Sequence, residues 1–182
     1  MATTKQKIWT YIDYTNLTDD KRYEILEGEL IEMAPAPNFK HQTISMKLGS
    51  KIWTYVQQQN IGQVVASPID VIFDDYNTLQ PDIIYISNDN KKIIKEKGVF
   101  GPPDLVIEII SQSTVTKDRE IKFSIYEKFK VKEYWIVDPE NKSVDVFCLE
   151  ANNFSLHASS KDKINSKLFS NLEINLKEIF TQ

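Results

Sequence analysis

The sequence predicts an α/β fold of the α+β kind: a mixed β-sheet flanked by helices, with an N-terminal β-hairpin extension. Three observations carry that expectation. The apolar periodicity changes along the chain in the order helix, three strands, helix, strand, which fits helices packed around a mixed sheet. The run Leu105-Val106-Ile107-Glu108-Ile109-Ile110 is apolar at every position but one, the pattern of a strand covered on both faces. The 182 residues, 41% of them hydrophobic, suffice for one core, and no repeat, low-complexity block or composition shift marks a linker. A single domain over residues 1–182, with its core at about 23–149, is the expectation.

The elements follow in order. Tyr23 to Met33 alternates apolar and polar around Glu27-Gly28, which predicts a tight hairpin ended by Pro35 and Pro37. From His41 to Gln59, Ile44, Leu48, Ile52, Tyr55 and Val56 recur at helical spacing, with Met46 and Trp53 on the flanks and Gly62 as the stop. Val64 to Phe73 reads as one strand, and Asp74-Asp75-Tyr76-Asn77 as a turn. Pro81 to Ile86 and Leu105 to Ile110 are further strands, separated by a lysine-rich loop with a short helical piece. Ser113 or Thr114 can cap a helix running to Phe129. Glu133 to Val137 is a strand that Asp138-Pro139-Glu140-Asn141 turns into Ser143 to Leu149, and a short segment from Leu176 to Phe180 closes the domain.

Composition excludes several classes of function. One cysteine rules out an internal disulfide framework and a cysteine-rich zinc site. The N-terminus lacks the apolar core of a secretion signal, and no apolar run approaches the roughly 18 residues that cross a bilayer, so a cytoplasmic protein with no membrane partner is expected. A net charge of −4 weakens a nucleic-acid reading without excluding it, because divalent cations would offset acidity at a cleft. Lysines cluster at 91, 92, 95 and 97 and again at 128, 130 and 132, runs that read first as solvated faces. Cys148 alternates with Val144 and Val146 as core, and Trp53 and Trp135 sit at apolar positions expected to pack. His157 has no nucleophile motif near it, and no phosphate-cradling glycine loop is present.

The chemistry-bearing signal is charge placed where hydrocarbon belongs. Glu108 interrupts an apolar strand, Asp82 heads the preceding one, and Lys122 falls near the centre of the apolar face of the next helix. At about 100° per residue, Val115, Asp118, Ile125, Tyr126 and Phe129 share that face with Lys122. A buried charge without a partner costs several kcal/mol, so each of these groups requires a counter-charge, donors or a metal. Two readings stand for each residue: Lys122 either snorkels to Asp118 or serves a site, and Asp82 either caps a strand entry or ligates. Two carboxylates with a backbone carbonyl and water form the usual oxygen set for Mg²⁺, and a nearby lysine can orient or deprotonate an attacking water.

Pro81-Asp82 followed by Glu108-Ile109-Ile110 resembles the bipartite signature of the PD-(D/E)xK nuclease superfamily. The blocks Tyr23 to Leu30, His41, Gly101 to Ser111, Asp118, Lys122, Tyr126 and Glu133 to Pro139 are more closely similar to the Uma-two family of restriction-endonuclease-like proteins. That resemblance, over roughly Tyr23 to Leu149, implies a restriction-endonuclease-like fold and Mg²⁺-dependent phosphodiester hydrolysis in DNA, with Mn²⁺ as a substitute. Asp82, Glu108 and the Ile109 backbone carbonyl are the expected metal ligands, and Lys122 the water-activating group.

The chain also departs from the superfamily pattern. The lysine's usual place, two residues after the acid, holds Ile110, and Lys122 on the following helix could supply the same ammonium group. The first core helix carries no acid, and Glu29 or His41 could fill that place, with Asp70 a further candidate. Tyr126 either hydrogen-bonds a phosphate or packs. Two alternatives stand beside the enzyme reading: a catalytically inactive DNA-binding or assembly module of the same fold, and a hydrolase of some small phosphoester. A homodimer is expected, since double-strand cleavage takes two sites and each chain offers one.

Overall fold

A computed structural model describes residues 7–34, 36–110 and 117–181, with only the backbone of 117–119. Its first element is a short helix, α1 (Tyr11–Thr15), closed by a capping box between Thr10 and Asp13. The hairpin of β1 (Tyr23–Leu26) and β2 (Glu29–Glu32) turns on Glu27 (φ 52°) and Gly28 (φ 82°). Two successive left-handed residues are what a twisted two-residue hairpin requires. At Gly28 a Cβ would also meet the Ile8 side chain at 2.8 Å.

Helix α2 (Phe39–Gln59) starts at Asn38, whose side chain accepts from the His41 N–H. It ends at Asn60, left-handed at φ 52°, and not at Gly62 as the sequence suggested. Gly62 instead opens β3 (Gly62–Ala66), pressed so tightly onto its neighbour that an added Cβ would lie 2.2 Å from the Ile86 carbonyl oxygen. The expected strand Val64–Phe73 is two strands, β3 and β4 (Val71–Asp74), because Pro68 cannot donate to a ladder. After the turn at Asp75-Tyr76 come β5 (Asn77–Leu79), unforeseen as a strand, and β6 (Ile83–Ser87). The lysine-rich connection holds a 3₁₀ turn (Asn88–Ile93) and a small hairpin, β7 (Ile94–Lys95) and β8 (Gly98–Phe100).

Next come β9 (Leu105–Ile109), a wide π-helical segment (Lys117–Lys122) running into α3 (Phe123–Lys128), and β10 (Glu133–Asp138). The expected cap at Ser113 or Thr114 lies outside the described residues, as do Val115, Pro35 and the Asp118 side chain. The chain finishes with β11 (Ser143–Glu150), β12 (Asn153–Ser160), β13 (Lys163–Asn165), β14 (Glu173–Asn175) and α4 (Leu176–Phe180).

The central sheet runs β12-β11-β10-β9-β6-β3 and is mixed, with β9 and β10 parallel and every other pair antiparallel. A second six-stranded sheet, β2-β1-β5-β4-β8-β7, absorbs the hairpin that the sequence placed as an extension of the first. Successive residues of the central strands feed two cores. Ile83, Ile107, Ile109, Trp135 and Val137 pack against α2 and α4. Ile84, Val106, Tyr134 and Ile136 pack against α3 and the second sheet. This two-sided covering is why β9 and β10 carry no exposed position. Cys148 and Trp135 are core as expected; Trp53 is not, standing on the solvent side of α2.

Candidate active site

The site forms at the end of β9 because three elements deliver charge there. Strands β6 and β9 pair antiparallel with Ile83 opposite Ile107, so one further step sets Asp82 opposite Glu108. Asp82 precedes the ladder, and its Oδ2 accepts the Ile109 N–H at 2.8 Å, supplying the acceptor that the strand no longer provides. In the first turn of α2, His41 places Nε2 3.0 Å from the Ile109 carbonyl oxygen and 3.3 Å from Asp82 Oδ2. Two of the expected ligand oxygens therefore converge on one imidazole nitrogen.

On the α3 side of the same strand lies a buried ionic cluster. Glu108 Oε1 accepts from Lys122 Nζ at 2.9 Å and from the Tyr126 hydroxyl at 2.6 Å. Lys122 Nζ also donates to Glu24 Oε1 at 3.0 Å. Glu24, Glu108 and Lys122 are each 5% exposed or less. Burial first, and then the Glu108 charge, push the Tyr126 phenol well above its ordinary value, so it remains a donor to that carboxylate. The helix geometry explains the meeting: Lys122 and Tyr126 lie one turn apart on the face turned to the sheet, as the sequence spacing indicated.

Glu24 is the residue that sequence reasoning passed over. In Tyr23-Glu24-Ile25-Leu26 it reads as the solvated position of an alternating strand. The overlooked signal is that Ile25 and Leu26 are adjacent and both apolar, which breaks the alternation and marks a strand covered on both faces. Glu24 Oε1 also accepts the Gln80 N–H at 2.9 Å, and the Gln80 side chain donates to Asp70 Oδ1 at 2.8 Å. Asp70 is thus tied to the cluster through Gln80, its carboxyl raised by burial. Glu29, by contrast, is exposed in β2 opposite Leu26 and takes part in none of these contacts. Glu133 is a further buried acid, occupied by the Trp135 indole N–H at 2.6 Å and the backbone N–H groups of Lys167 and Leu168. Its role is to hold the loop after β13.

Among the described residues, no three His, Cys, Asp or Glu side chains stand together as a metal-binding group. The expected donor set does not need three: Asp82, Glu108 and the Ile109 carbonyl are all hard oxygens, the kind Mg²⁺ prefers. In donor chemistry the residues fit such an ion.

The mixed sheet flanked by helices is a restriction-endonuclease-like fold, and the buried acid and lysine cluster sits at the end of its central strands. The chain belongs to the Uma2 family, described as "Putative restriction endonuclease", whose model matches residues 10–177. It is 23% identical over 141 residues to the uncharacterised protein sll1609 of Synechocystis sp., covering 76% of this chain and 79% of that one. A crystal structure of a "putative nuclease belonging to DUF820" from Anabaena variabilis superposes with a TM-score of 0.74 at 23% identity, over 94% of this chain and 97% of the other. That likeness establishes the fold. No helix of the described residues is long and apolar enough to cross a membrane.

Proposed function

We propose that the protein is a metal-dependent endonuclease that hydrolyses phosphodiester bonds in DNA, working in the cytoplasm. The observation that carries this reading is the buried Lys122 ammonium on Glu108 Oε1, one residue from Ile109, whose N–H donates to Asp82 and whose carbonyl oxygen faces His41. Glu24 and Glu108 hold the lysine from two sides, so its position is set before substrate arrives. Asp82, Glu108 and the Ile109 carbonyl would hold Mg²⁺, or Mn²⁺ in its place. When bound, the ion would neutralise the scissile phosphate and lower the pKa of its water. Lys122 would orient that water and stabilise charge building on the phosphorane-like centre. Tyr126, protonated and pinned to Glu108, positions that carboxylate. Glu24 is a positioning residue for Lys122.

Plasmid nicking in Mg²⁺ or Mn²⁺ tests the proposal. Wild type should nick, and Glu108→Ala and Lys122→Ala should each lose the activity; equal rates for wild type and Glu108→Ala would remove the enzyme reading. A second reading, an inactive DNA-binding or assembly module of the same fold, draws on the fact that Glu108 Oε1 is already satisfied by Lys122 and Tyr126. It predicts duplex binding without nicking.

A further inference from the structure

Helix α2 covers one face of the central sheet with Ile44, Leu48, Ile52 and Val56 and turns its other side to solvent. A solvent-facing side of this length normally carries charge, in a chain where 26% of residues are charged. Here every exposed position of α2 is uncharged. Three of them are large and apolar: Phe39 at 82% exposed, Met46 at 74% and Trp53 at 52%. The others are serine, threonine and glutamine. The three lysines of the helix sit off this face, half-buried and engaged within the chain: Lys40 with Glu140 at 2.8 Å, Lys51 with Glu178 at 2.7 Å, and Lys47 with the Thr181 carbonyl.

We infer that this face of α2 is the contact through which two copies of the chain pair, helix against antiparallel helix. The spacing carries the inference. Phe39, Met46 and Trp53 stand seven residues apart, so they form one stripe along the helix. Met46 is the midpoint of that stripe. A two-fold axis through it sets Phe39 of one copy against Trp53 of the other, at both ends at once, which is the self-matching pattern that an isologous contact requires. Charge selects the same occupant. A nucleic acid or an anionic lipid surface would need free cations on this face, and the helix lysines are directed elsewhere. Two acidic copies, each at −4, meet most cheaply where neither presents charge.

Size sets the strength of the pairing. Twenty-one residues span about 31 Å, and a strip about 10 Å wide amounts to roughly 300 Å² per copy, well under the roughly 800 Å² of a standard interface. The contact is therefore weak and reversible. His41 lies five residues from Met46, so the pairing places the two candidate sites about 15 Å apart along the helix direction. The contact itself stands whether or not those sites cleave DNA.

Sedimentation across the micromolar range and cysteine cross-linking test the inference on the full chain. Wild type should move from the 21.1 kDa species toward twice that mass as concentration rises. Trp53→Glu should weaken association about 30-fold or more, while Leu156→Glu, at a comparably exposed apolar residue on β12, should leave it unchanged. Circular dichroism melts check that both variants fold. Met46→Cys should form a disulfide with its own copy under mild oxidation. Native Cys148 will not compete, being buried with its thiol pushed up to about 12. A wild type that stays at 21.1 kDa, a Trp53→Glu protein that associates normally, a Leu156→Glu protein that dissociates, or a Met46→Cys chain that dimerises without cross-linking would each overturn the inference.

Discussion

Replacing Lys122 with methionine keeps the length of the side chain and removes its charge, which isolates the electrostatic role of the buried cluster. In the native protein, Nζ lies 3.0 Å from Glu24 Oε1 and 2.9 Å from Glu108 Oε1. Those two oxygens can be no farther apart than the sum of these distances, 5.9 Å. With the ammonium gone, two buried carboxylates face each other across that span, and their repulsion is about 3 kcal/mol at an effective dielectric of about 20. Removing one partner of a buried pair generally costs about 3–5 kcal/mol. For a chain of this size, that corresponds to a fall in Tm of about 6–20 °C. Urea and thermal melts followed by circular dichroism at pH 7 measure it. The double variant Lys122→Met/Glu24→Gln separates repulsion from lost packing, since it abolishes one of the two facing charges while keeping a hydrogen-bonding side chain beside Gln80. It should recover about 2 kcal/mol of the single variant's loss. A Lys122→Met protein within about 1 kcal/mol of wild type, or a double variant no more stable than the single, would refute the reasoning. Either result would mean that the carboxylates are not held in place by that lysine.

Two other predictions follow from close contacts away from the site. Gly62→Ala gains about 0.4–1 kcal/mol by restricting the unfolded chain, but its Cβ would fall 2.2 Å from the Ile86 carbonyl oxygen, so a net loss of about 3 kcal/mol is expected in urea melts. A neutral or stabilising effect would contradict the described fit of β3 on β6. Asp104 is buried, which by itself raises its carboxyl, but the Lys132 ammonium at 2.6 Å and the Ser87 N–H bring it below its ordinary value of 3.8. A carboxyl depressed in the folded state contributes stability above its unfolded value and loses it as pH falls through the folded one. The stability gap between wild type and Asp104→Asn should therefore be constant near neutrality and shrink below about pH 3.8; a gap that widens on acidification would show the sign to be wrong.

What the sequence determined by itself is what depends on neighbours along the chain. Glu27-Gly28 specifies a hairpin because residues alternating apolar and polar flank a glycine that takes a left-handed φ of 82° without a side-chain clash. The spacing of Ile44, Leu48, Ile52 and Val56 makes α2 and chooses its inner face. Unbroken hydrocarbon around Glu108 announced a buried acid in β9, and helical spacing set Lys122 on the face turned toward it, whereas the bond from Tyr126 to that acid was not foreseen.

Only the tertiary structure decided which distant groups complete the cluster. Glu24 is buried because β1 lies within a second sheet packed on the first, and the lysine it binds comes 98 residues later. Asp82 acts as a substitute ladder partner for the Ile109 N–H, and His41 reaches the carbonyl of the same residue from α2, because of the order in which strands and helix were laid side by side. Periodicity shows that a side chain turns inward; it carries no information about what arrives from the opposite layer. A buried charge is legible as a demand for a partner, and packing between layers supplies the partner's identity.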